Sequence, residues 1–166
     1  HYTQIASAIR GTIREKYWDA TRGLFADTYD HRSFSQHVNS LAILAGIVTG
    51  EEATRLMERT LNDSSLIQAT IYFRYYVHQA LKVAGMGDHL LDNLQIWRDQ
   101  MALGLTTWAE MPEPTRSDCH AWGASPNIEF FRILLGIDSN APGFKSIRIA
   151  PSLGDLKEVS GTMPHP

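Results

Sequence analysis

The stretch from Gly104 to Gly123 gathers the residues best suited to chemistry. It holds two tryptophans, one histidine and three acids, namely Trp108, Trp122, His120, Glu110, Glu113 and Asp118. A sugar-binding cleft needs flat apolar faces for the C–H side of the ring, hydrogen-bonding groups for its hydroxyls, and two carboxyl groups flanking the scissile bond. This stretch supplies candidates for everything except the second flanking carboxyl group.

Glu110 is the strongest catalytic candidate among the three acids. A loop of this length between two core helices is unusual unless it is functional. A loop carboxylate can also be merely solvated, but the position beside Trp108, in a loop that enters the core, favours a function. Glu113 and Asp118 are weaker candidates, because each can precede a turn or a helix N-terminus, where a carboxylate favours the helix dipole.

Nucleophilic and metal-dependent chemistry find less support in the sequence. Cys119 could act as a nucleophile only beside a positioned base, and its sequence neighbour His120 need not be its neighbour in space, so we expect a buried, inert thiol. The seven histidines are scattered without metal-ligand spacing, which predicts no metal site. No glycine-rich phosphate loop follows a strand, so we expect no cofactor.

Composition excludes several classes of partner. With 43% hydrophobic and 20% charged residues the chain is an ordinary globular sequence, and a net charge of −3 leaves no basic face for nucleic acid. The apolar stretch Leu41–Val48 is far shorter than the roughly 20 residues that cross a bilayer, so we expect no membrane span.

The beginning of the chain and its single cysteine leave the compartment open. The chain opens on His1 and enters a helical pattern at once, without an initiator methionine or a signal peptide. We therefore expect it to be cut from a longer protein, for which a periplasmic or extracellular location is compatible with the sequence.

Hydrophobic periodicity predicts helices in pairs over the first 85 residues. An apolar residue at every fourth position from Ile5 to Tyr17 predicts an amphipathic helix over 3–19, followed by a loop. Residues 33–48 have little polar face, so that helix should be buried nearly all round. Thr49 and Glu52 have capping-box spacing and predict a helix from about Gly50. Residues 66–84 predict a second buried helix, which Gly85 ends as a C-cap. We expect the aromatic run Tyr72–Tyr76 to pack in the core by default, with one or two of its members free to face a cleft.

A third pair follows on either side of the candidate loop. Leu90, Leu94, Trp97 and Met101 form the stripe of another amphipathic helix. Pro126 suits a first helical turn, so we predict a short turn over 120–123 and a helix from Pro126 to about Leu135. Its predicted core positions are Ile128, Phe130, Phe131, Ile133 and Leu134.

The resulting fold class is all-α, with helical hairpins forming a two-layer arrangement of outer and inner helices. Three hairpins cannot close a ring, so either another half of the ring is missing from this chain or the chain is an open solenoid. We place this domain at residues 1–137. Residues 138–166 form a linker and the first strands of a C-terminal β-sandwich domain, because Ile147 and Ile149 alternate with polar residues and a second extended stretch surrounds Leu156–Met163.

The candidate loop carries a resemblance to a known family. Thr106-Thr107-Trp108-Ala109-Glu110, followed by Ser117-x-Cys119-His120-Ala121-Trp122, resembles glycoside hydrolase family 78, the bacterial α-L-rhamnosidases. Those enzymes carry a Gly-x-Thr-Thr-x-x-Glu loop, a Ser-x-x-His-Ala-Trp/Phe helix start and a Leu-x-Gly-Ile ending, which Leu134–Ile137 matches. Gln36–Ala42 resembles their Gln-x-x-Asn-x-x-Ala, and Ala80-Leu81 with Gly85 resembles their Ala-Leu-x-x-x-Gly.

The resemblance implies an inverting hydrolysis of terminal α-L-rhamnosides with Glu110 as general base. It implies that His120 contacts the bound sugar and that Trp108 or Trp122 forms an aromatic wall. The chain departs from many members in having Trp108-Ala109 where they have an apolar residue and then Trp. The resemblance also implies that residues 1–137 are the second half of an (α/α)₆-barrel catalytic domain, about half of the toroid, and that the general acid lies in the first half. We therefore expect this chain to be inactive alone. We also expect it to self-associate through uncovered inner helices.

Two other functions fit parts of the pattern. Related helical toroids serve other glycosidases and uronate-processing enzymes, and fold alone does not decide between them. A non-catalytic α-solenoid interaction module also has helix pairs of similar size. The three pairs share no repeated residue pattern, however, and their loops differ greatly in length, which argues against a solenoid.

Overall fold

The computed structural model describes residues 1–162, which form two compact units. The first comprises His1–Gly85 and the second begins at Met86. Each unit is defined by the contacts among its own residues, and the division at Gly85 differs from the predicted domain boundary. The boundary between a helical domain and a β-domain after Ile137 stays a prediction.

Unit 1 is built from four helices and a short hairpin. They are α1 (Tyr2–Tyr17), β1 (Trp18–Asp19), β2 (Leu24–Phe25), α2 (Gln36–Leu44), α3 (Gly50–Asn62) and α4 (Ile71–Val83). Helix α2 packs mainly on α4 and also on α3. Their shared core includes Ile43, Leu56, Met57, Val77 and Leu81.

Helix α1 is confirmed, but its apolar stripe is not covered. No residue of α1 is buried, and Ile5 and Ile9 are 44% and 54% exposed. The predicted loop after α1 contains an antiparallel hairpin that pairs Trp18 with Phe25. Phe25 is fully buried, so this hairpin belongs to the core of unit 1.

Helix α2 buries polar side chains where the sequence suggested an apolar surface all round. Gln36 and Asn39 are buried, whereas Leu41 is 46% exposed. Oε1 of Gln36 accepts a hydrogen bond from the backbone amide of Ala69 at 3.0 Å, and Nε2 of Gln36 donates one to the carbonyl of Thr60 at 3.2 Å. The prediction of a helix buried nearly all round by apolar contacts was therefore wrong. One face of α2 carries polar side chains that form hydrogen bonds with the backbone of neighbouring segments.

The starts of α3 and α4 differ from their predictions. Helix α3 begins at Gly50 as expected, but Thr49 makes no capping hydrogen bond and Glu52 instead pairs with Arg14. Helix α4 begins at Ile71, because Ile67 exchanges backbone hydrogen bonds with the segment entering α2 and is extended.

The aromatic run of α4 is only partly buried, which corrects the predicted core packing. Tyr72 is 51% exposed, and Phe73, Tyr75 and Tyr76 are half-buried. The buried positions of α4 are its first residue and four residues from its middle onward, namely Ile71, Val77, His78, Ala80 and Leu81.

Unit 2 holds the candidate loop between two helical segments. Short 3₁₀ turns at Gly87–His89 and Leu91–Leu94 lead into α5 (Gln95–Ala102), and a further 3₁₀ turn at Ala121–Ala124 leads into α6 (Pro126–Glu129). Helix α6 widens into a π-helical turn over Phe130–Leu134. Residues 104–120 contain neither helix nor strand, as predicted.

The core of unit 2 corrects three predicted positions. Leu90, Leu94, Trp97, Ile133 and Leu134 are buried, but Ile128 and Phe130 are 46% and 36% exposed. Met101, the last residue of the predicted stripe, is also exposed. Beside the predicted Ile133 and Leu134, the buried face of the last helix also presents Glu129, one turn before Ile133.

The β extension is short. Strand β3 (Ile137–Ser139) pairs antiparallel with β4 (Ile147–Ile149), so the strand predicted around Ile147 is confirmed and its partner was missed. Residues 156–162 form no strand with any residue that the structure describes, and Met163 lies outside the described residues. The predicted fold class, helical hairpins with a small β extension, is confirmed. None of the helices within residues 1–162 has the length and apolarity to cross a bilayer.

Candidate functional site

The loop between α5 and the 3₁₀ turn at Ala121 closes on itself through backbone hydrogen bonds. The amide of Glu110 donates to the carbonyl of Ser117 at 2.9 Å, and the amide of His120 donates to the carbonyl of Trp108 at 2.8 Å. The hydroxyl of Thr107 adds a bond to the carbonyl of Asp118. The two limbs of the loop therefore run side by side, which brings residues far apart along the loop close to Glu110.

Two buried side chains of α5 attach this loop to unit 2. Gln100 accepts the amide hydrogen of Ala109 at 2.9 Å, and Trp97 donates its indole N–H to the carbonyl of Gly123 at 2.6 Å. Gln100 is 4% exposed and Trp97 is 3% exposed. Since one anchor lies directly before Glu110 and the other follows His120, both limbs are tied to the same helix.

The carboxylate of Glu110 is engaged by the guanidinium of Arg116. Nε of Arg116 donates to Oε2 at 2.8 Å, and Nη2 donates to Oε1. The Glu110 side chain is 10% exposed. The hydrogen bond from Arg116 lowers the pKa of Glu110, and the charges of Arg116 and His120 act in the same direction against desolvation. Glu110 is therefore an ionised carboxylate at neutral pH.

His120 and Trp122 form a contacting pair at the start of the turn that follows the loop. Their ring centroids lie 4.4 Å apart, and Trp122 is 45% exposed. The Nδ1 atom of His120 is buried and makes no hydrogen bond to any residue that the structure describes. The pair thus combines an exposed aromatic face with a ring nitrogen that still has hydrogen-bonding capacity.

Trp108 lies against a different feature of unit 2. It lines an apolar cavity of about 280 Å³ together with Leu94, Trp97, Met101 and Phe130, among others. Glu110 and His120 are not among the lining residues. His120 therefore contacts Trp122, and its charge acts on the carboxylate of Glu110. Trp108 lies in the wall of this separate cavity.

The remaining polar candidates have local roles. The carboxylate of Glu113 accepts the amide of Thr115 at 3.3 Å in a turn, and Asp118 is exposed. Cys119 is an exposed free thiol, so the expectation of a buried cysteine was wrong. Within residues 1–162, no three His, Cys, Asp or Glu side chains gather in a group that could hold a metal ion.

Sequence reasoning missed two residues that organise the site. Arg116 is a basic residue in a loop whose other charged residues, Glu110, Glu113 and Asp118, are acidic, and that contrast was an available signal. Gln100 gave no signal, because a polar residue near the end of an amphipathic helix is ordinary. Both matter only through contacts that form when the loop closes.

The helical fold and its loop define the class of protein to which the chain is similar. It matches the crystal structure of a GH78 family rhamnosidase of Bacillus sp. GL1 with a TM-score of 0.76 and 26% sequence identity over 89% of this chain. It also matches a rhamnosidase from Klebsiella oxytoca with rhamnose bound, with a TM-score of 0.70 and 21% identity over 79% of this chain. The Bacillus structure confirms the resemblance to glycoside hydrolase family 78, and the Klebsiella structure shows the same fold.

The chain spans 17% of the Bacillus protein and 28% of the Klebsiella protein. No protein-family model and no curated protein sequence matches it. The fold similarity is therefore the comparison on which a functional proposal rests.

Proposed function

We propose that the chain is part of a glycoside hydrolase that removes terminal α-L-rhamnosyl groups with inversion, and that Glu110 is its general base. The observation that carries this proposal is the position of Glu110, whose side chain is 10% exposed, on a loop held by two buried side chains of α5. The nearby charge of His120 contributes to the lowered pKa of Glu110. The rhamnosidases among the structural neighbours support the substrate class.

The proposed base is suited to activating water. An ionised carboxylate accepts a proton from a water molecule on the face of the sugar opposite the leaving group, while a protonated carboxyl group donates to the glycosidic oxygen. The two groups lie about 6.5–9.5 Å apart in inverting enzymes, which leaves room for that water. We assign the general acid to the other half of the barrel.

The proposed sugar contacts are His120, Trp122 and Trp108. The half-buried ring of His120 can exchange a hydrogen bond with a sugar hydroxyl, and the exposed face of Trp122 can cover an apolar face of the sugar. The support for Trp108 is weaker, because its side chain lines the apolar cavity described above.

The test uses an enzyme in which this chain is joined to the other half of the barrel. Glu110→Gln should lower kcat on an aryl α-L-rhamnoside by about 10²–10⁴-fold, because a positioned base contributes that much to rate. Proton NMR of the first product should show the β-anomer, since inversion changes the configuration of the α-linkage. Full activity of Glu110→Gln, or an α-anomer as first product, would reject the proposal.

His120→Ala provides a separate check of the sugar contact. Loss of a hydrogen bond to the bound sugar should raise KM for the rhamnoside more than it lowers kcat. An unchanged KM would remove His120 from the site.

The proposal has two consequences for the 166-residue chain alone. It should be inactive without the general acid, and hydrolysis by the chain alone that Glu110→Gln abolishes would contradict this. It should also self-associate, because large apolar side chains of the predicted inner helices are exposed, among them Leu41, Tyr72, Val83 and Ile128. Light scattering that gives a monomer of 18.6 kDa would refute self-association.

A further inference from the structure

The ion pair between Arg116 and Glu110 is a feature of the loop that the proposed reaction does not yet use. Both oxygens of the carboxylate are bound by one guanidinium group, with Nε to Oε2 at 2.8 Å and Nη2 to Oε1. The planar fork of arginine matches the planar carboxylate, so the two contacts together determine the orientation of the Glu110 carboxylate plane.

Loop closure brings Arg116 to this position. The neighbouring carbonyl of Ser117 accepts the amide of Glu110 at 2.9 Å and the hydroxyl of Thr115 at 3.0 Å. The Arg116 side chain is 78% exposed, whereas that of Glu110 is 10% exposed. The guanidinium therefore covers a nearly buried carboxylate from the solvent side.

This arrangement leaves the carboxylate able to accept a proton. Each carboxylate oxygen has two lone pairs, and the two contacts with Arg116 occupy one on each oxygen. Each oxygen thus keeps the capacity to accept one more hydrogen bond, including one from a water molecule. A glutamate side chain has three rotatable bonds, so a second group that holds its plane shortens the search for a productive geometry.

Resting on the proposed role of Glu110, we propose that Arg116 is a positioning residue, which holds the general base ionised and in a fixed plane. The direction of the pKa of Glu110 agrees, because the hydrogen bond from Arg116 is the largest cause of its lowering. The groups whose charges act on Glu110 are Arg116 and His120.

The first test measures ionisation in the 166-residue chain and needs no activity. Chain labelled with ¹³C at the glutamate carboxyl is titrated by NMR, with the Glu110 signal assigned by its loss in Glu110→Gln. Arg116→Gln should move the titration of Glu110 to higher pH, and Arg116→Lys should move it less. Arg32→Gln removes an exposed arginine paired with Asp30 in the other unit and should have no effect. An unchanged titration in Arg116→Gln would overturn the proposal.

The second test measures the pH profile of the enzyme that contains both halves of the barrel. Arg116→Gln should shift the acid limb of kcat/KM to higher pH and lower kcat with little change in KM, and Arg116→Lys should restore part of both. A role confined to loop structure would lower activity equally at all pH values, without rescue by lysine. Because Arg116 is exposed, its replacement leaves no buried cavity, and the lysine variant tests the same contact with less change.

The two tests separate the two proposals. If Glu110→Gln keeps full activity while Arg116→Gln still shifts the titration of Glu110, the catalytic role fails and the ion pair stands as a structural contact only. If Glu110→Gln is inactive and the acid limb of Arg116→Gln is unchanged, the base stands and the positioning role of Arg116 fails.

Discussion

Asn39 offers a direct measure of how polar side chains hold unit 1 together. It is fully buried in α2, and its side chain forms hydrogen bonds with both the amide and the carbonyl of Phe25. Its Oδ1 accepts the Phe25 amide at 2.8 Å, and its Nδ2 donates to the Phe25 carbonyl at 3.1 Å. The side-chain amide of Asn39 thus satisfies both backbone groups of Phe25, as a neighbouring β-strand would.

Replacing Asn39 by alanine should destabilise unit 1 by about 2–6 kcal/mol. The change leaves two buried backbone groups of Phe25 without these partners, and each such group costs about 1–3 kcal/mol. Two measurements follow the effect: urea unfolding by circular dichroism, and exchange of the Phe25 amide with deuterium. Both the unfolding midpoint and the protection of that amide should fall.

The neighbouring Ser40 provides a matched control. It lies in the same helix and is equally buried, but its hydroxyl makes no hydrogen bond to any residue that the structure describes. Ser40→Ala should therefore be neutral or stabilising, since it removes an unsatisfied buried polar atom. Equal destabilisation by Asn39→Ala and Ser40→Ala would show that burial, and not the bonds to Phe25, determines the cost.

Three further predictions follow from the surroundings of single residues. Gln100→Met should destabilise unit 2 by about 1–3 kcal/mol in urea unfolding, because it leaves a buried loop amide unpaired; an unchanged midpoint would contradict the anchoring role. Hydrogen bonds from Ser65, and then the Arg22 contact, lower the pKa of Asp63, so its stabilisation is present above the ordinary carboxyl pKa and is lost as pH falls through the lower folded value. Asp63→Asn should therefore flatten the acid-side fall of the urea midpoint, and an equally steep fall would count against this. Cys119 should react with a thiol reagent in the folded chain as fast as in urea, and strong protection when folded would refute its exposure.

Sequence reasoning located the candidate loop and most helices because those signals are local. Four-residue spacing predicted α1, and the absence of periodicity from Gly104 to Cys119 predicted an irregular loop around Glu110. Strand β3 gave no such signal, because three residues are too few to show alternation and the pairing with β4 is what defines it.

The assignment of individual residues to the core needed the tertiary structure. Periodicity shows that a helix has two faces, but the neighbours decide which groups are covered and how polar groups are satisfied. Asn39 is buried because the backbone of Phe25 satisfies it, whereas Ile5 on α1 and Ile128 on the last helix are exposed.

The site divides in the same way. The sequence alone determined that Glu110 lies in a long loop with His120 and Trp122 close by along the chain. Only the folded loop decided that Arg116 binds the carboxylate and that Gln100 anchors the preceding residue. Those contacts depend on which residues of the two limbs of an irregular loop lie close together. An irregular loop has no periodic sequence pattern from which this proximity can be predicted.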